Sequence, residues 1–178
     1  MRRGSPHARR IAGAMSKADW IAVVCAGLVA GTIDIGAAAL INLASPLLIL
    51  KFIAGGLLGK GALAGGAGVV VLGLVLQWAM SLLIAGIYVV ASRRAAVLRR
   101  SWVSCGLAYG VVVFLVMNYV VVPLSAWHRW PAFTAFTFAA NLVAMLLFGL
   151  IVAFFVRRSA ANAPVPSALA GNALRGMP

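Results

Sequence analysis

The sequence predicts an all-α fold, an integral membrane four-helix bundle, on three observations. Hydrophobic residues make up 64% of the 178 and charged residues only 10%, whereas a soluble domain carries roughly 25% charged residues to cover its surface. Four stretches, 20–43, 69–91, 102–124 and 133–156, are apolar over their length, and each reaches the about 20 residues that cross a ~30 Å hydrocarbon core. The basic residues that give the net charge of +13 lie outside these stretches, at their ends. That placement excludes a nucleic-acid-binding face. The basic residues are anchors for helices.

Residues 1–19 read as a basic cytoplasmic tail, and span one follows at Trp20. A cleaved signal peptide would also begin with basic residues, but the apolar run of 24 residues exceeds the roughly 7–15 of a signal core. Spans two, three and four contain no Lys, Arg, Asp or Glu. Trp20, Trp102, Trp127 and Trp130 stand at or just beyond span ends, as interfacial tryptophans do. Trp78 is the one tryptophan inside a span. The tail 157–178, rich in Ala, Asn, Pro, Ser and Gly, is expected to be disordered.

Orientation follows from the flanks. Arg2, Arg3, Arg9, Arg10, Lys17, Arg93, Arg94, Arg99, Arg100, Arg157, Arg158 and Arg175 fall on one side, and Lys51, Lys60 and Arg129 on the other. The positive-inside rule then puts both termini in the cytoplasm, and an even number of spans agrees. The same basic face is expected to meet anionic lipid heads.

The connection 44–68 is unusual. Ser45-Pro46 reads as an N-cap followed by Pro at the first helical position. The run Leu47–Ile53 is too apolar to float in water and too short to span. An amphipathic strut in the outer interface and a re-entrant segment are both open, and only the second would line a cavity. Seven glycines follow between Gly55 and Gly68. The string Gly55 to Gly61 mimics a phosphate loop, but Ala54 and Gly61 stand where that motif needs Gly and Ser or Thr.

Cys25 and Cys105 read as small packing residues, and His7 and His128 fall on opposite sides of the membrane. No spacing suits a metal site or cofactor, and no Ser-His-acid or paired-acid arrangement suits an enzyme.

The informative residues are polar ones within the spans. At about 1.5 Å per helical residue, Asp34, Gln77 and Asn141 lie about 12–13 Å from the outer ends of their spans and Asn118 about 9 Å. Each helix thus contributes one polar side chain near one level. Asp34 costs about 2.5–3.5 kcal/mol to insert, with no Lys or Arg inside a span to pair with it. Protonation, or hydrogen bonds from Asn118, Gln77 and Asn141, would offset that cost, with Tyr109 a weaker donor. Two functions are open: a proton or cation site around Asp34, or interhelical glue that sets register. Gly27-x-x-x-Gly31 and Gly106-x-x-x-Gly110 are close-packing motifs, expected to meet each other or to face a second copy.

The phrases Gly31-Thr-Ile-Asp-Ile35, Gly56-Leu-Leu-Gly59, Ala91-Ser-Arg-Arg94, Cys105-Gly-Leu-Ala-Tyr-Gly110 and Met117–Ala126 together resemble a group of small uncharacterised bacterial four-span membrane proteins. The resemblance runs from span one to the start of span four. It implies multi-pass topology in the bacterial inner membrane and no particular chemistry. The two expectations are a non-enzymatic bundle handling a proton, cation or small solute around Asp34, and an accessory subunit packing against a membrane-protein partner or a second copy.

Overall fold

The computed structural model describes residues 15–161. Of the tail 157–178 expected to be disordered, 157–161 instead continue the last helix, which ends at Ala161, and the rest lies outside the described residues, as does most of the N-terminal tail. The described residues are helical, with no strand among them. Five helices are long and apolar enough to cross a membrane, the build of a multi-pass membrane protein.

Helix α1 is Lys17–Ile41. Ser16 caps it in a reciprocal box: the Ser16 hydroxyl accepts from the Asp19 amide, and the Asp19 carboxylate accepts from the Ser16 amide, satisfying two otherwise orphaned donors. The chain turns at Leu43, and Ser45 caps α2, Pro46–Leu58, with Pro46 at its start, as the sequence predicts. At Gly59 the backbone has φ +73°, a left-handed conformation that glycine adopts at no steric cost, and it ends α2. A 3₁₀ turn, Gly59–Ala64, then folds back: the Lys51 ammonium donates to the Leu63 carbonyl at 3.4 Å. In a straight helix those residues would stand about 18 Å apart along the axis.

Helix α3 is Ala67–Arg94, α4 the short Val97–Arg100, and α5 Trp102–Val116. A π-helical turn, Met117–Val121, carries α5 into α6, Val122–Leu124. Pro123 accounts for the turn, because it has no N–H to donate and its ring crowds the preceding turn. Helix α7 is Ala135–Ala161, its start capped by Thr134 and Thr137 bonding each other's backbone amides.

The long helices alternate in direction. Gly27 meets Leu82, Gly31 meets Ser81 and Trp78, and Asp34 meets Gln77, so α1 and α3 run antiparallel. Gly106 meets Ala153 and Gly110 meets Met145, so α5 and α7 do too. The Ser159 hydroxyl joins the end of α7 to the Ala18 carbonyl near the start of α1 at 2.6 Å. Consequently α2 and its 3₁₀ turn leave and return at one end of the bundle. Lys17, Arg93, Arg94, Arg99, Arg100, Arg157 and Arg158 gather at the opposite end.

The core lies toward that basic end, where Val23, Ala26 and Ala30 of α1 meet Ala85, Tyr88 and Val89 of α3 and Phe148, Val152 and Ala153 of α7. Tyr88 and Tyr109 pack edge to face at 5.0 Å. Each hydroxyl is satisfied by a backbone carbonyl, Tyr88 by Leu98 at 3.2 Å and Tyr109 by Ile84 at 2.7 Å. Tyr109 is therefore committed to α3 rather than to Asp34.

The glycine motifs do not pair with each other. Gly27 and Gly31 seat the Leu82 and Ser81 side of α3, while Gly106 and Gly110 interlock with Gly149 of α7. The partners supply small residues at the same spacing, Ser81-x-x-x-Ala85 and Gly149-x-x-x-Ala153, and those let backbones approach.

Candidate functional site

The site is built where α1 and α3 cross in the halves away from the basic end. Gly31 lets α3 come close enough for its Cβ position to be filled by the Ser81 side chain. Three residues on, one turn along the same face, Asp34 points at Gln77. The Gln77 side-chain amide donates to the Asp34 carboxylate at 2.9 Å and to the Gly31 carbonyl at 3.3 Å. Both residues are half-buried. A second polar contact flanks the first: the Trp78 indole N–H donates to the Thr32 hydroxyl at 3.4 Å, and Thr32 donates to the Leu28 carbonyl at 2.7 Å.

Of the four residues expected to form a polar layer, the structure joins two. Asn118 donates to the Phe114 carbonyl at 2.9 Å and Asn141 to the Thr137 carbonyl at 2.7 Å, each four residues back in its own chain segment. This corrects the expectation that they would bond Asp34. Asn118 sits in the π turn, where the Val122 amide reaches back five residues to Met117; there its side chain satisfies a carbonyl next to a disturbed backbone ladder. Asn141 bonds the carbonyl one turn back in regular helix near the start of α7. Both are local.

Thr32 and Trp78 are the site residues that sequence reasoning passed over. The signal was present, since Trp78 is the one tryptophan set away from an interface. A buried indole needs an acceptor, and the helix facing it supplies Thr32.

The end of the site away from the basic cluster is covered by α2. A Cβ at Gly73, one turn nearer the start of α3 than Gln77, would overlap the Leu50 carbonyl, so α2 lies directly on α3 there. The loop after α6 holds α2 in place. The Ala126 amide donates to the Gly56 carbonyl at 2.8 Å, the Trp127 indole donates to the Phe52 carbonyl at 3.0 Å, and the Trp127 ring lies against Gly55.

No group of three or more His, Cys, Asp or Glu that could hold a metal occurs among the described residues. Cys25 and Cys105 are free thiols. A comparison with protein-family models, curated proteins and solved structures finds no match to this chain.

Proposed function

We propose that this is a bacterial inner-membrane protein with both termini cytoplasmic, in which the Asp34–Gln77 pair handles protons. Four crossings, α1, α3, α5 with α6, and α7, fit the antiparallel register, and α2 with its 3₁₀ turn is a hairpin set into the outer leaflet. The return of that hairpin at Gly59 and the Lys51–Leu63 contact support this count over five crossings. The gathering of basic residues at the opposite end supports the orientation. The sequence resemblance to small four-span bacterial proteins points the same way.

The observation that carries the function is the direct contact of an intramembrane acid with an amide on the neighbouring helix. Intramembrane acids mark proton and ion paths, and this donor set suits a proton. A hard divalent cation takes about six to eight oxygens, whereas the pair offers one carboxylate beside one amide. When Asp34 is ionised it accepts from the Gln77 NH₂. When protonated it is a donor, and the amide, which carries both a donor and an acceptor end, turns over to accept. The Asp34–Gln77 bond can thus be kept in either protonation state, at the cost of the Gln77 bond to the Gly31 carbonyl when the amide turns over, with α2 lying over the outer approach.

The test is proton flux into vesicles reconstituted with the protein, followed by an entrapped pH-sensitive dye. Asp34→Asn keeps the size and hydrogen bond of the side chain but removes the exchangeable proton, so flux falls to the protein-free level. Flux unchanged in Asp34→Asn would sink the proposal.

A second function is favoured by one observation: Gln77 bonds Asp34 and the Gly31 carbonyl together, as a structural latch would. In that case the chain is an accessory subunit, and the expected result is stable co-purification with a membrane-protein partner in mild detergent.

A further inference from the structure

At the basic end of the bundle, a cleft of about 400 Å³ is lined by residues of α1 and α7, whose ends the Ser159–Ala18 bond joins. Its walls are Ile21, Ala22 and Cys25 from α1 and Phe155 from α7, and Arg158 and Ser159 bound the end nearer the helix termini. Cys25 lies seven residues, or about 10 Å, further along α1 than Ala18. The cleft is thus an apolar slot that runs inward from a charged rim.

Among the described residues that line the cleft, one carries a charge, Arg158. Arg157 stands 5.4 Å over the Trp102 ring. Arg99 donates from two nitrogens to the Ser92 carbonyl, at 3.0 and 2.8 Å. The Ser159 hydroxyl is used on the Ala18 carbonyl. Arg158 makes no hydrogen bond or ion pair among the described residues. A small soluble anion would find one guanidinium and otherwise hydrocarbon, which is too few donors. A ligand with an anionic head and an apolar chain matches both parts of the slot, and a guanidinium fits a phosphate.

We infer that the α1–α7 cleft binds one anionic phospholipid, its phosphate on Arg158 and an acyl chain along Ala22 and Cys25. The inference is independent of Asp34, which lies in the other half of α1. It predicts a defined site beyond the general attraction of a basic surface for an anionic leaflet.

Cys25 reports occupancy, because a chain in the cleft shields its thiol. The full chain is reconstituted into vesicles of phosphatidylcholine alone or with one-third phosphatidylglycerol. Alkylation of Cys25 and Cys105 by a membrane-permeant maleimide is then followed by mass spectrometry. Phosphatidylglycerol is expected to slow Cys25 about fivefold, the worth of one Arg near an anionic surface, and to leave the ratio of Cys105 rates near one. In Arg158→Gln the Cys25 effect disappears, while Arg100→Gln, an equal loss of charge at the same end but away from the cleft, retains it. Three results would overturn the inference. Cys25 reacting equally in both lipids would mean that the cleft has no preference for an anionic lipid. Slowing that persists in Arg158→Gln would remove the phosphate contact. Equal loss in Arg100→Gln would reduce the site to surface attraction.

Discussion

Trp127 donates its indole N–H to the Phe52 carbonyl at 3.0 Å across a separation of 75 residues, and its ring lies 5.2 Å from that of Phe52. The loop between the last two helices therefore clasps α2. Trp127→Phe keeps a ring and loses the donor, an expected cost of about 1 kcal/mol. Trp127→Ala also empties the space over Gly55, at about 3 kcal/mol. Protease cleavage between Gly59 and Gly66 should speed up in that order. Equal rates in all three proteins would mean that α3 alone holds α2.

Glycines in this bundle separate into tight and open positions. A Cβ at Gly110 would stand 2.5 Å from the Met145 carbonyl oxygen, backbone that cannot step aside. Gly36 and Gly86 have nothing within 4 Å. Gly110→Ala should destabilise by about 1–3 kcal/mol through overpacking. Gly86→Ala should be neutral or stabilise by roughly 0.5–1 kcal/mol, as Ala does within helices. Thermal unfolding in detergent measures both, and the same shift in each would refute the α5–α7 interlock.

The Asp34–Gln77 hydrogen bond is open to a double-mutant cycle. Membrane interhelical bonds average about 0.6 kcal/mol and reach about 1.7. Asp34→Ala and Gln77→Ala should therefore couple by a value in that range, whereas Asp34→Ala and Asn141→Ala should add within about 0.5 kcal/mol. Coupling to Asn141 as large as that to Gln77 would restore a four-residue layer.

Arg99 fastens the end of α3 to the following turn through its two bonds to the Ser92 carbonyl. Lysine has no planar fork, so Arg99→Lys should lose part of that hold and Arg99→Ala all of it. Amide exchange across 92–100 should rise in both variants, more in the alanine. Exchange unchanged in Arg99→Ala would show the turn to be held by the Tyr88–Leu98 bond instead.

The helices were legible in the sequence because the apolar runs define them. Spans expected at 20–43, 69–91 and 133–156 correspond to helices at Lys17–Ile41, Ala67–Arg94 and Ala135–Ala161. The Ser45-Pro46 start of α2 was legible for the same local reason. Partner choice was not, because a G-x-x-x-G motif specifies closeness and not what comes close. Ser81-x-x-x-Ala85 and Gly149-x-x-x-Ala153 carry the complementary small residues, but Ser and Ala are common enough in apolar helices to pass unremarked. Depth along a span brought Asp34 and Gln77 to one level and brought the asparagines there equally well. What separates them is angle around the helix and the local backbone: Asn118, in the π turn before Pro123, turns its amide back to the Phe114 carbonyl of α5.

Biosynthesis inherits a decision from the turn at Gly59. Residues Pro46–Ala64 form an apolar segment of 19 residues, long enough to be threaded across the bilayer as it leaves the ribosome. Were it to thread, every later helix would insert upside down and Arg93, Arg94, Arg99 and Arg100 would have to be translocated. On the proposed orientation those four arginines hold the α3–α5 connection inside, and the hairpin must then close back on itself. A cysteine at Lys60 and one at Arg94 should accordingly be labelled by a membrane-impermeant reagent from opposite faces, and removing the four arginines together should produce chains with both arrangements. The basic cluster downstream would then act as a proofreader of a segment the ribosome has already released.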